Sequence, residues 1–323
     1  MGHLTENQRY TIETMKQENF SNIQIAKVIG CHKSTIGREL RHNVSQRGYR
    51  HKHAHRLAIN RRKDKSPAKF DAEMQGRAED KLQAGWSPEQ IAGRFRAARV
   101  PMVSHQRIYE HVRRDKALGG TLHRFLRHDG KKRKKRYGSK DSRGKIRNRV
   151  DIDQRPEIVA AKARIGDWEG DTIVGGERKG AVVTLVERKS KYLFMRKVER
   201  ADAESVAAAV IGVAKPHKEK FETITYDNGR EFAAHADMAK ALSVDIYFAT
   251  PYHSWERGVN ENTNGLIRQY IPKKAMLADY SPDEIVDIQE AINHRPRKTL
   301  GYMTPHEVFI EERTRVEICR GCI

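Results

Sequence analysis

Asp171, Asp227 and Glu261 are the residues of this chain whose types and surroundings could support chemistry. Asp171 belongs to the segment Asp167-Trp168-Glu169-Gly170-Asp171-Thr172, Asp227 to Tyr226-Asp227-Asn228-Gly229-Arg230-Glu231-Phe232, and Glu261 to Arg257-Gly258-Val259-Asn260-Glu261-Asn262. The hydrophobic pattern puts the first on a strand, the second at the end of a strand and the third at the opening of a helix. Strand ends and helix starts of an α/β sheet converge at one edge, where ligands bind. Carboxylates gathered there repel one another unless cations lie between them. Mg²⁺ suits such a place, because it takes carboxylate oxygens and leaves positions for phosphate and water. Two such ions would support in-line attack on a phosphodiester. Each residue also has a plainer reading: Asp-Asn-Gly is a common turn, and an acid in a first helical turn complements the dipole. Asp167 and Glu169 share strand parity with Asp171, so the local pattern leaves the choice among these three open.

The elements that must position these acids follow from residue 166 onward. Extended segments end at Thr172-Ile173-Val174 and run over Ala181–Val186 and Tyr192–Met195, the last two joined as a hairpin through Glu187-Arg188-Lys189-Ser190. An Ala/Val-rich helix over Ala203–Ala214 stops at Pro216. Then come a strand over Phe221–Tyr226, a helix over Phe232–Leu242, a strand over Val244–Ala249 and a helix over Val259–Gln269 that ends before Pro272. This order predicts an α/β domain with a mixed five-stranded sheet. Ser281-x-x-Glu284 and Thr304-x-x-Glu307 predict capped late helices.

Charge divides the chain sharply. Of 323 residues, 63 are Lys or Arg and 42 are Asp or Glu, a net of +21. Residues 1–150 carry 37 basic against 14 acidic side chains, and residues 151–323 carry 26 against 28. A basic half joined to a near-neutral half reads as a polyanion-binding module attached to a domain with another task. The basic half has the pattern of a helix-turn-helix: Ser21 caps a helix with Ile25 and Ala26, Gly30 turns the chain, and a polar helix follows with Ile36 and Leu40 facing inward. Lys33, Ser34, Arg38 and Arg41 stay outside and are the candidate DNA-reading residues. A basic helix over Tyr49–Lys63, with Arg61 and Arg62, would track phosphates. The segment Ser87-Pro88-Glu89-Gln90, with helices carrying Ile91, Ala92 and Phe95 and then, after Ser104, Ile108 and Val112, predicts a second such unit. The run Lys131-Lys132-Arg133-Lys134-Lys135-Arg136 reads as a cationic linker lying along a DNA backbone. The expected domains are residues 1–48, 49–128, a linker over 129–160, a catalytic domain over 161–310 and a tail over 311–323.

These motifs together resemble a known family. Trp168-x-x-Asp171, Asp227-Asn228-Gly229-x-x-Phe232 and Pro251-Tyr252 followed by Gly258-Val259-x-Glu261 are similar to the Asp-Asp-Glu core of retroviral-type integrases and related transposases. With the helix-turn-helix segments, Trp86-Ser87-Pro88-Glu89-Gln90-Ile91-Ala92 and Asn293-x-Arg295-Pro296-Arg297-Lys298-x-Leu300-Gly301-Tyr302-x-Thr304-Pro305, nearly the whole chain resembles the insertion-sequence-thirty family of bacterial transposases. The resemblance implies an RNase-H-like fold in which Asp171, Asp227 and Glu261 hold two Mg²⁺, with Mn²⁺ as a substitute. It implies cleavage at the ends of a mobile element and transfer of the freed 3′-hydroxyl into target DNA. It also implies double-stranded DNA partners (terminal inverted repeats and target), a homo-oligomer of at least two chains and a place at the bacterial nucleoid.

On this reading Asn264 and Arg268, at +3 and +7 from Glu261, point to substrate; Arg268, Lys273 and Lys274 contact phosphate or form solvated surface, and Trp255 either stacks on a base or packs against the domain or a partner subunit. The alternative is a helix-turn-helix repressor whose second domain only dimerises; a structure-selective nuclease is a further rival. Cys319-x-x-Cys322 is half of a zinc-site spacing with no second pair, and the tail is given no role. The three cysteines form no disulfide framework, no run of 18 apolar residues exists, and Met1–Glu6 has no signal core, all in keeping with a cytoplasmic protein.

Overall fold

A computed structural model describes residues 3–46, 48–64, 70–127, 146, 148–251 and 253–312. Lys131, Lys132 and Arg133, with the rest of that basic run, and Cys319 and Cys322 lie outside the described residues, as do the side chains of Arg62 and Trp255. The chain forms two compact units, residues 1–69 and 70–323.

The first unit is α-helical: α1 (Glu6–Gln17), α2 (Asn22–Ile29), α3 (Lys33–His42) and α4 (His51–Asp64). Thr5 and Ser21 each close a capping box, with Gln8 and Gln24 returning the bond. Gly30 ends α2 in the left-handed conformation, φ 74°, which a residue without Cβ adopts at no steric cost and which turns the chain into α3. Ile12, Ile25, Ala26 and Ile36 form the small core, with Leu40 packed at its side. Glu39, on the inner side of α3, is buried and held by the Arg9 guanidinium at 2.7 and 3.2 Å and by the Tyr49 hydroxyl at 3.0 Å.

The second unit begins with α5 (Ala72–Gln83), α6 (Pro88–Ala97) and α7 (His105–Ala117), which enclose Leu82, Ile91, Phe95, Ile108 and Val112. After α8 (Glu157–Ala161) comes the sheet: β1 (Asp167–Val174), β2 (Ala181–Glu187), β3 (Leu193–Val198), β4 (Thr223–Tyr226) and β5 (Asp245–Phe248), in the order β3-β2-β1-β4-β5. β1 pairs antiparallel with β2 and parallel with β4, so the sheet is mixed. α9 (Ala203–Ala214) and α10 (His235–Leu242) cover one face over a core around Trp168, which stacks on Phe221 at 4.2 Å. α11 (Gly258–Tyr270) and α12 (Pro282–Asn293) cover the other face over Ile173, Val182, Leu193 and Ile267, and α13 (Pro305–Phe309) follows. Among the described residues no helix is long and apolar enough to cross a membrane.

The helix expected to begin at Phe232 instead begins at His235, after a 3₁₀ turn over Arg230–Phe232. Phe232 is fully buried and stacks on Tyr226 at 4.2 Å, which pins the turn before the helix can start. The third strand runs to Val198 because its backbone continues to pair with β2, past the apolar stretch that marked it.

Candidate active site

β1 and β4 are central, parallel neighbours, so their C-terminal ends adjoin at one sheet edge. Asp171 lies near the end of β1 and Asp227 directly follows β4. Asp227 Oδ1 accepts the Gly229 N–H at 2.9 Å, a side-chain turn that fixes the carboxylate just beyond the strand. Its other oxygen accepts from Arg257 Nη2 at 3.3 Å, and Arg257 Nη1 stands 3.7 Å from Asp171 Oδ1 and donates to the Gly170 carbonyl at 3.3 Å. One guanidinium therefore serves both aspartates. Asp171 is 21% and Asp227 25% exposed, so that cation offsets charge that water screens only in part.

The three same-parity acids of β1 separate by their partners. Asp167 is buried, bound by the Arg164 guanidinium at 3.2 Å and the Thr223 hydroxyl at 2.9 Å. Glu169 is buried, accepts the Asn260 N–H at 2.9 Å and faces Arg188 at 3.4 Å. Asp171 alone of the three lines an open groove of about 380 Å³, together with Glu261, Asn260, Asn264, Arg268 and Lys273. Burial raises the Asp171 carboxyl above its ordinary value and the Asp227 charge adds to this; Arg257 and the Asn264 amide act against it.

Asn264 Nδ2 donates to Asp171 Oδ2 at 2.7 Å. Glu261 is exposed in the first turn of α11. The structure thus brings Asp171 and Asp227 onto one arginine, and Asp171 and Glu261 onto one groove. Among the described residues it gathers no three acids or histidines into a group that could hold a metal. The donor chemistry nevertheless suits a hard cation. The groove offers carboxylate oxygens, and the amide oxygens of Asn260 and Asn264 are buried there without a partner.

Residues 2–43 match a family model described as a helix-turn-helix domain, and residues 161–254 match one described as an integrase core domain. The chain is 45% identical over 310 residues, 95% of each protein, to the transposase for insertion sequence element IS4351 of Bacteroides fragilis. It is 34% identical over 322 residues, 96% of this chain and 84% of the other, to transposase InsI for insertion sequence element IS30C of Escherichia coli K12. The chain belongs to the IS30 family of transposases. Among solved structures, the catalytic core domain of BIV integrase matches 46% of this chain and 96% of its own at 20% identity, with a TM-score of 0.38.

Membership of this family fits the helix-turn-helix unit and the RNase-H-like order of the sheet, and an integrase core implies a divalent metal cofactor. Of the residues expected to meet DNA, Lys33, Arg38 and Arg41 are exposed on α3, and Arg61 is exposed on α4. Ser34 is partly covered, bonded to His32 Nδ1 at 2.8 Å. Lys273 and Lys274 are exposed just after α11, while Arg268 leans back to the carbonyls of Ile271 and Pro272. His51, the first residue of α4, is turned inward: its backbone N–H donates to Glu13 at 2.7 Å and its ring sits 2.5 Å from the same carboxylate. Sequence reasoning missed Arg257. Its signal was present, a basic residue directly before a helix that opens with a candidate acid, but pairing with residues 30 and more positions away is not a local property.

Proposed function

We propose that this protein is a DNA transposase. Its helix-turn-helix units bind the terminal inverted repeats of a mobile element, and its second unit cleaves at the ends and joins the freed 3′-hydroxyl strand to target DNA. The observation that carries this reading is the pair Asp171 and Asp227 at adjoining strand ends, sharing Arg257, with Glu261 on the groove that Asp171 lines. Asp171, Asp227 and Glu261 would hold Mg²⁺, two ions per site with Mn²⁺ as a substitute, which would neutralise the acids and polarise the phosphate under attack. Asn264 orients the Asp171 carboxylate, and Gly229 orients that of Asp227. Arg268 and Lys273 border the groove and, with the exposed Lys274, bind the phosphates flanking the cleaved bond, with Trp255 stacking on a base beside it. The exposed arginines and lysine of α3 enter the major groove. The acting species is an oligomer of at least two chains, one for each element end, working on DNA in the cytoplasm.

Asp227→Asn tests the assignment. It keeps the carboxylate's shape and removes its charge, so binding to a terminal repeat persists while Mg²⁺-dependent nicking and strand transfer are lost. Retained cleavage would overturn the site. Binding with no nicking by the wild type would favour the repressor reading, and cut ends without joined products would favour the nuclease.

A further inference from the structure

The near-neutral half holds a concentrated cationic site away from the three acids. A cavity of about 1010 Å³ opens between the β2–β3 turn, the start of α11 and the segment around α13. Lys162, Arg188, Lys189, Lys191, Lys220 and Arg297 line it. Two acids also line it, Glu219 and Glu312, and Glu312 is taken by Lys220 at 2.7 Å.

Several of these cations are held where a cation is costly. Arg188 is 4% exposed, and its Nε and Nη1 have no hydrogen-bond partner; its nearest acid is Glu169, in an ion pair at 3.4 Å. Arg297 is 8% exposed, its Nη2 donates to the Ile292 carbonyl at 3.1 Å, and its Nε has no partner. Burying guanidinium N–H groups without partners costs their full desolvation, so an arrangement of this kind suits an acceptor arriving from outside. Burial and the Lys162 charge press the Lys191 ammonium down to about 8, and burial and the Arg295 and Arg127 charges press Arg297 down to about 9. For Lys191 the Glu187 and Glu169 charges offset only part of this, and its ammonium donates to the Arg188 carbonyl. Gly258 and Val259, the first residues of α11, also line the cavity, and that helix end has no side-chain cap.

We infer that this cavity is a phosphate-group site, built by Arg188, Lys189, Lys191 and Arg297 on the side of α11 opposite the Asp171 groove. Along α11, Val259, Asn262 and Thr263 face the cavity, while Glu261, Asn264 and Arg268 face the groove. The phosphate comes either from a DNA strand passing behind the catalytic helix or from a free anion. The inference stands apart from the catalytic reading, because it needs neither metal nor cleavage.

Lysine acylation of the full chain in metal-free buffer, read by peptide mass spectrometry, tests it. Duplex DNA and inorganic phosphate are the two probes. Lys189 and Lys191 lose labelling several-fold in at least one arm, while Lys179, exposed elsewhere, does not change. Protection by duplex alone identifies a strand backbone, and protection by phosphate alone identifies a free anion. If neither probe protects them while duplex does protect Lys33 on α3, the site is refuted. The variant Lys189→Gln/Lys191→Gln gives a second measure. A strand backbone site predicts that the salt slope of DNA binding falls by about 2, with recovery on Lys→Arg replacement. A free-anion site predicts loss of thermal stabilisation by phosphate. An unchanged slope together with unchanged stabilisation refutes both.

Discussion

At the scale of single residues, Arg257 decides how Asp171 and Asp227 coexist. Its guanidinium stands 3.7 Å from one carboxylate and 3.3 Å from the other, so a cation already lies where their repulsion would be greatest. A divalent ion held by these acids must share or replace that role. Arg257→Gln is therefore expected to lower the melting temperature of the metal-free protein, by an amount equivalent to about 1 kcal/mol for a partly exposed pair of contacts. It is also expected to enlarge the stabilisation given by Mg²⁺, since the Arg257 charge no longer competes for the two acids. A thermal titration with Mg²⁺ checks both, and an unchanged response would show that Arg257 does not compete for the acids. The choice among Asp167, Glu169 and Asp171 was open at this scale, because all three share a face of β1. Arg164 and Thr223 claim the first, Arg188 and the Asn260 amide claim the second, and the third faces the groove. These partners come from other elements, which is why the strand's own pattern could not distinguish them.

At the scale of elements, much was legible because it is local. Ser87, Ser281 and Thr304 each close a capping box with the residue three positions on, as the sequence pattern predicted, and Ser21, expected as a simple cap, closes one with Gln24 as well. Ser21→Ala removes the acceptor for the Gln24 N–H at the start of α2, which packs directly against α3. The expected cost is about 1 kcal/mol of stability. Thermal melting of the full chain reads it as a lowered transition of the helix-turn-helix unit, and an unchanged melt would show that the box contributes nothing. The second helical unit shows where local reading stops. α6 is expected to be half of a DNA-reading pair, and its other role lies through space: Gly93 lies so near the Tyr302 ring that a Cβ there would come within 2.1 Å of it. Gln90 donates to the Pro296 carbonyl at 2.7 Å. One side of α6 is thus committed to the segment before α13, and Gln106, Arg107, Arg113 and Arg114 are among the exposed side chains of α7.

At the scale of the second unit as a whole, Arg94 and Glu307 tie together parts of the chain more than 200 residues apart. Arg94 is 1% exposed and forms two parallel bonds to the Glu307 carboxylate, while its Nη1 also donates to the Tyr302 carbonyl at 3.0 Å. Burial alone would raise the Glu307 carboxyl. The Arg94 guanidinium and the Thr304 amide outweigh it, so the folded value lies below the ordinary 4.5. A depressed folded value means that this contact stabilises above about pH 4.5 and is lost as pH falls through the folded value. Arg94→Met leaves a buried carboxylate without its partner and is expected to cost about 3–5 kcal/mol at neutral pH, with the loss shrinking in acid. Arg94→Met/Glu307→Leu should recover most of it. Denaturant unfolding at pH 7 and pH 4 measures all three, and a single-variant loss that does not change with pH would refute the assignment.

What the sequence by itself determined is whatever depends on neighbours along the chain: the caps, the turn at Gly30, the strand and helix order, the division of charge and the short motifs that mark the family. The +21 net charge and its confinement to the first half were likewise readable without coordinates. Tertiary structure alone decided which acid of β1 meets the groove, that Arg257 lies between Asp171 and Asp227, that α6 is bound by Arg94 to Glu307, and that six cations of a near-neutral half converge on one cavity. The physical reason is the same in each case. Burial and electrostatic partnership depend on distances through space, and the sheet and its covering helices bring together residues that the chain separates by tens to hundreds of positions.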